Sequence, residues 1–560
     1  MAERIDRRTL LTRGVAAGAG VLAAGLGLEA CSSGSSGATA TAGRNGVSTA
    51  PPRRGGRLVF AVEAEESSLD PSVGRFDATG VTYARTVYDA LTVIAADGSV
   101  KPYLAESVTP NADHTVWTIT ARPGVRFHDG TPCDANAIAT SMNYFKDGEL
   151  GVVTTGPIQS IVATDASTVT VTLKQPWVVF DKYLAGGIGG QIGYIVAPAM
   201  IANAKASGGK GITKPIGTGP FVYQDWTPGE HFVVTRNANY WRPGLPYLDA
   251  IEFRPIPDPF QRANSLQAGT IDIFHTDVAD TELAFMHNSS YGYVDDQGAV
   301  VGLPDTDFLM FNLQADPVSD IRVRKAVAMA IDLQRYKQVI NKGLNPIATQ
   351  PFVPGTPYYA PSGYPSYDPA QARVLVQEYT HDKGRPPAFT LGSTNSSEAV
   401  KAAQVLQQML TAVGLEVTLQ QFQQSDFINN ALSGDFQCYE WRQFGAVDPD
   451  LDYLFWSPTT IFPPPINLAV NFARNTDPQV EPLLQQGRQN ADPAVRARAY
   501  QQLAQRFAAD LPYAFYDRAI WAVIARPQVQ NFNNPTAPDG SKAFGMMVGT
   551  VWNTETWLEH

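Results

Sequence analysis

The chain has 560 residues, a formal net charge of −11 and three cysteines, Cys31, Cys133 and Cys438. That length leaves room for several structural units and a large core. The acidic balance argues against nucleic acid or anionic lipid as the main partner, and three cysteines are too few for a disulfide framework or a thiolate zinc site.

Residues 1–30 read as an export signal. Arg7-Arg8 is followed by Thr9-Leu10-Leu11, similar to a twin-arginine signal. Gly14 to Leu28 is apolar but short of the roughly 20 residues a membrane span needs. Leu28-Glu29-Ala30-Cys31 resembles a lipobox, in which cleavage leaves a cysteine that receives lipid, although Glu29 is unusual there. Residues 31–56, rich in Ser, Gly, Ala, Thr and Pro, read as a flexible tether. No later window is apolar enough to span a bilayer.

The body begins with the β-prone run Arg57 to Val62. Asp134 to Tyr144 is expected to be a helix capped by Asp134. Val116 to Ala121 and Thr168 to Leu173 alternate as half-buried strands, and Phe308 to Asn312 is a further strand. Ile321 to Ile331 carries one apolar face, and Asp368-Pro369 caps a helix through Glu378. Ser396 to Val413 is a long amphipathic helix, Glu416 to Phe422 a strand, and Asp492-Pro493 opens a helix to Ala509. Mixed strands and helices without a strict alternation give an α/β class.

Catalytic signatures are absent: no nucleophile elbow, no zinc-protease pair of histidines and no phosphate loop. Asp448-Pro-Asp450-Leu-Asp452 lacks the glycine and closing glutamate of a calcium loop, so it reads as capping before Leu451–Trp456. No metal or cofactor is expected.

A series of motifs resembles the extracellular solute-binding proteins of family 5, the dipeptide-, oligopeptide- and nickel-binding group of ABC importers. In order they are Ser68-Leu69-Asp70-Pro71, Val87 to Leu91, Lys101 to Glu106, Phe127-His-Asp-Gly-Thr131, Pro215 to Phe221, Asn237 to Trp241, Leu266 to Asp272, Asp320 to Ala326 and Tyr367-Asp-Pro369. The resemblance covers residues 57 to the end. It implies a two-lobed periplasmic-binding-protein-like clamshell with an extra subdomain in the first lobe. Lobe one would be 57–305 with the subdomain at 76–212, lobe two 306–515, and 516–560 a return to lobe one. The hinge would lie near Leu303–Phe308 and Tyr513–Asp517. Cys133 and Cys438, in different lobes, would be free buried thiols.

The same resemblance places ligand contacts in three zones. The first is Gly74 to Thr79, with Arg75, Phe76, Asp77 and Thr79. The second is Tyr439 to Gly445, with Trp441, Arg442, Phe444 and Gly445. The third is Asn395 and the helix bearing Lys401, whose N-terminus favours an anion. Each zone has a plainer reading: Trp441 and Phe444 as core, Asp77 as a loop charge, Lys401 as a solvated helix residue. Peptide binders of the family carry a pocket aspartate four residues before the proline of the following Asp-Pro; here that position is Gly445. Asp448 and Asp77 are the nearest acids that could substitute, and no histidine in these zones supports nickel. The expected ligand is therefore a small organic solute: a peptide or peptide-like molecule held differently, a glycoside, an opine or a modified amino acid.

The expectation is a monomeric, lipid-anchored receptor on the outer face of the cell membrane, handing its solute to an ABC permease and its ATPase. It is not an enzyme. The competing classes are a secreted hydrolase and a non-transport signalling or chaperone protein on the same clamshell. Permease and ATPase genes beside its own would favour transport.

Overall fold

Arg57–Val62 is hydrophobic on both faces, and Leu58, Phe60, Ala61 and Val62 are all fully buried. A strand of that kind belongs inside a covered sheet. In the computed structural model, which describes residues 50–559 apart from 75, 188, 208–213, 297–303, 465–466 and 547, it lies at the centre of a seven-stranded sheet. The order is Gly292–Asp295, Ala522–Ala525, Ile273–Thr276, Arg57–Val62, Ala250–Pro255, His231–Arg236 and Phe221–Thr227. The central strand runs parallel to both neighbours.

A second sheet has five strands: Glu416–Phe422, Ala388–Thr394, Cys438–Gln443, Thr306–Phe311 and Tyr513–Arg518. The chain enters it at Thr306 and leaves it after Arg518 for the seven-stranded sheet at Ala522. The return falls slightly later than the expected residue 516. Asp517 and Arg518 still pair with Asp307 and Thr306, and the Arg518 guanidinium donates to the carbonyls of Gln350, Pro351 and Phe352.

A third sheet, antiparallel and four-stranded, is built from Ala105–Pro110, Val116–Ala121, Thr168–Leu173 and Ile158–Ala163. Its two central strands alternate as the sequence predicts, with Trp117, Ile119, Val169 and Val171 inward. The helix Ala135–Asp147 covers that face with Ile138 and Met142. Asp134 caps it, accepting from the Ala137 amide at 3.0 Å. This sheet is the extra subdomain of the lobe that holds the seven-stranded sheet; the five-stranded sheet is the core of the other lobe.

Other helices are capped in the same way. Asp320, Ser396 and Asp492 each accept from the first turn of the helices Ile321–Ala330, Ser397–Thr411 and Pro493–Asp510. The helix opened by Asp368 runs on to Lys383, past the expected Glu378, and ends where Gly384 adopts φ +71°. Cys133 and Cys438 are free and buried in separate cores. No helix among the described residues is long and apolar enough to cross a membrane.

Candidate binding site between the lobes

Lobe one contributes carboxylates to the cleft from the ends of its strands. Asp77 caps the helix Ala78–Val87 and accepts from the Gly80 amide at 3.0 Å. Glu66 packs against that turn so closely that a Cβ on Gly80 would stand 2.1 Å from its Oε2. A side chain there would push the Glu66 carboxylate out of its present place. Burial, and then Glu63, push the Asp77 carboxyl up to about 6, against the Gly80 and Thr79 amides and Arg442. Burial, and then Asp77, push Glu66 well above the usual carboxylate range.

His275, fully buried, is the penultimate residue of the strand Ile273–Thr276. Its Nδ1–H donates to the Gly549 carbonyl at 2.9 Å, and its Nε2 accepts from the Glu63 amide at 3.3 Å. Burial lowers its pKa, so the imidazole is neutral. Asp277 follows that strand, and Asp305 stands one residue before lobe two begins.

Lobe two answers with one cation. Arg442, on the strand Cys438–Gln443, forms an ion pair with Asp277 and stands 3.7 Å from Asp305. Its guanidinium lies 4.6 Å from the centre of the Trp521 ring. Asp305 accepts from the Gly445 amide at 3.1 Å and from the Trp521 indole at 3.2 Å, and burial pushes its carboxyl up to about 6. At Gly445 an added Cβ would meet Val548 at 2.3 Å and Asp305 Oδ1 at 2.7 Å. No side chain fits at 445, and the Asp305 carboxylate occupies the space one would take.

Of the sequence-selected residues, Asp77, Arg442 and Gly445 therefore meet in one place. Asp448 lies apart from them. It is 1 % exposed and accepts from Lys182 at 2.9 Å and Arg496 at 2.6 Å. Burial raises its pKa, but those two cations outweigh that and hold it below the ordinary value. Its carboxylate is spent on the protein itself. Lys401 crosses between the lobes to Asp280 at 3.1 Å, with Glu398 at 3.4 Å. Asn395 is exposed beside it.

Phe76 and Thr79 are buried in lobe one. Phe444 stacks on Phe308 at 4.9 Å inside lobe two. Trp441 is half-buried, its ring against Phe427 at 5.0 Å and Phe472 at 5.1 Å. Arg75 and Cys31 lie outside the described residues. Sequence reasoning missed Asp277, Asp305 and Trp521. Among the described residues no cluster of three or more His, Cys, Asp or Glu side chains could hold a metal.

Two sheet-centred lobes joined by two crossings, with charge from both converging on the space between, define a solute-binding clamshell. Residues 99–460 match the profile of the bacterial extracellular solute-binding proteins, family 5, and the chain belongs to that family. It is a binding protein and not an enzyme. The chain is 30 % identical over 468 residues to the glutathione-binding protein GsiB of Escherichia coli K12, covering 79 % of this chain and 85 % of that protein. The GsiB of Salmonella typhi is 31 % identical over 371 residues, 65 % and 69 % of the two chains. Among solved structures, AgaA of A. tumefaciens R10 with agropinic acid superposes with a TM-score of 0.77 at 23 % identity, covering 90 % and 99 % of the chains. The oligopeptide-binding protein AppA of Bacillus subtilis with a nonapeptide gives 0.77 at 22 % identity, covering 91 % and 100 %. These likenesses show the fold.

Proposed function

We propose that the protein is the receptor of an ABC importer and captures a small peptide-like solute bearing a free ammonium group. The observation that carries this reading is the imbalance of charge in the cleft. Four carboxylates, Glu63, Asp77, Asp277 and Asp305, stand around Arg442, with Arg262 also near Glu63. Carboxylates crowded in a desolvated space either hold protons more tightly, as the raised Asp77 and Asp305 do, or take a cation from outside. An ammonium group meets that need without a metal ligand set. The glutathione- and peptide-binding relatives support the same class. Hinge closure about the two crossings near residues 304–305 and 519–521 would bury the solute.

The sign of the pH dependence follows. Below about pH 6 Asp77 and Asp305 take up protons and lose their attraction for an ammonium. Calorimetric titration of the purified protein with glutathione and with di- to tetrapeptides should show affinity that is lost on N-acetylation and falls below pH 6. Equal affinity for the acetylated forms, or tight binding of a neutral sugar instead, defeats the reading. The series Arg7-Arg8 to Cys31 supports export with a lipid anchor at Cys31 on the outer face of the membrane. Cys31→Ala should then release the protein from the membrane fraction; retention of that variant sinks the anchor.

A further inference from the structure

A small cavity of about 30 Å³ lies where the two lobes meet. Arg85, Ile94, Lys182 and Trp552 line it from lobe one, and Val447 and Leu451 close it from lobe two. Thr550, which accepts from Arg85 Nη1 at 2.9 Å, directly follows Gly549, the residue held by His275. The cavity and the acidic cluster thus share one stretch of backbone.

Two buried donors on the cavity's lining residues have no partner among the described residues: Arg85 Nε and Trp552 Nε1. The Arg85 guanidinium lies 4.4 Å from the centre of the Trp552 ring. No described carboxylate pairs with Arg85, and its polar neighbours are the hydroxyl of Thr550 and the phenols of Tyr194 and Tyr103. Burial holds its pKa below the ordinary value, against those phenols. Lys182 differs, because Asp448 already takes its charge. A buried cation without an anion is costly, and two orphaned donors on one cavity call for an acceptor with more than one lone pair.

We infer that this cavity is an anion subsite that takes a carboxylate of the captured solute, held by Arg85 and the Trp552 indole N–H. The inference rests on the peptide-like reading above and adds the second end of the ligand. Asp77 caps the helix whose last turn carries Arg85, eight residues later. At a rise of about 1.5 Å per residue the two backbones stand about 12 Å apart. An extended tripeptide spans about 10 Å, which suits an ammonium at one end and a carboxylate at the other. Ile94 from lobe one and Val447 and Leu451 from lobe two give the cavity apolar walls beside these donors.

The test compares glutathione and Ala-Ala-Ala with their C-terminal amides by calorimetry, on the native protein, Arg85→Met, Arg85→Lys and Trp552→Phe. Thermal unfolding without ligand and with phenylacetate is followed on each. The native protein should prefer acid to amide by at least tenfold. Arg85→Met should abolish that preference by weakening the acids alone, Arg85→Lys should keep part of it, and Trp552→Phe should reduce it several-fold. Ligand-free Arg85→Met should unfold no earlier than the native protein, and phenylacetate should stabilise the native protein but not this variant. Equal affinity for acid and amide, or an Arg85→Met loss shared equally by both, overturns the subsite. If no peptide binds, stabilisation by phenylacetate that requires Arg85 keeps the subsite while the peptide reading falls. Its absence overturns both.

Discussion

Glu282 shows what burial does to one acid. It is fully buried in the helix Ala279–Met286, accepts from the Tyr293 hydroxyl at 3.3 Å through Oε2, and leaves Oε1 without a partner. Burial, with Asp296 and Asp295 nearby, pushes its carboxyl up to about 8. Asp296 rises to about 7, again chiefly through burial. A carboxyl that holds its proton more tightly folded than unfolded stabilises the fold fully below its unfolded pKa and loses that contribution as pH rises through the folded value. The ligand-free protein should therefore unfold at a higher temperature at pH 5 than at pH 8. Glu282→Gln keeps the shape without the charge. It should be more stable than the native protein at pH 8 by on the order of 2 kcal/mol and similar at pH 5. An unchanged slope of Tm against pH would clear Glu282 of this role. At this scale the sequence was partly legible. Asp77 was visible through the family resemblance, which places a ligand loop after the Leu69-Asp70-Pro71 motif; its cap bond to the Gly80 amide was not read. Asp277, Asp305 and Trp521 were not visible, because they meet Arg442 only after three distant strand ends converge.

The segment 446–452 belongs to lobe two by chain and to the subdomain by packing. Ala446 and Leu451 are buried in the core of the four-stranded sheet. Asp450, fully buried, accepts from Trp177 Nε1 at 2.8 Å and Arg488 Nε at 2.9 Å, and Arg488 Nη2 reaches the Tyr183 hydroxyl at 3.1 Å. Both members of the Asp450–Arg488 pair are buried, with side chains 1 % exposed. Asp450→Ala would leave a buried guanidinium without its anion and should cost about 3–5 kcal/mol in urea unfolding at pH 7. Asp448→Ala should cost less, about 1–2 kcal/mol, because Lys182 and Arg496 are 20 % and 11 % exposed and find water. The reverse order would mean that the Asp448 cluster carries the contact. Local chemistry made most elements legible: Asp134 and Asp368 cap and Asp492 opens its helix as read, while the Asp320 cap was not read. Asp448 also caps, accepting from the Asp450 amide at 3.0 Å. Its ion pairs with Lys182 and Arg496 were illegible, since those partners lie 266 and 48 residues away.

The clamshell itself was legible through ordered motifs rather than through periodicity. Alternation alone identified the strands Val116–Ala121 and Thr168–Leu173 but not the sheet order that joins strands hundreds of residues apart. One feature of that order bears on how the protein is made. Ala522–Ala525 is an interior strand of the seven-stranded sheet, between Ile273–Thr276 and Gly292–Asp295, and all four of its residues are buried. The ribosome delivers it last. The four-stranded sheet, by contrast, has all its strands by Leu173 and can fold early. Through the whole synthesis of lobe two, Ile273–Thr276 waits with one side unpaired, and Gly292–Asp295 has no neighbour in the sheet. At about 5–20 residues per second that wait lasts roughly 10–50 s. An open edge of buried residues is a template for the wrong strand. The nascent chain is most open to mispairing in that interval, which ends only when the final forty residues emerge.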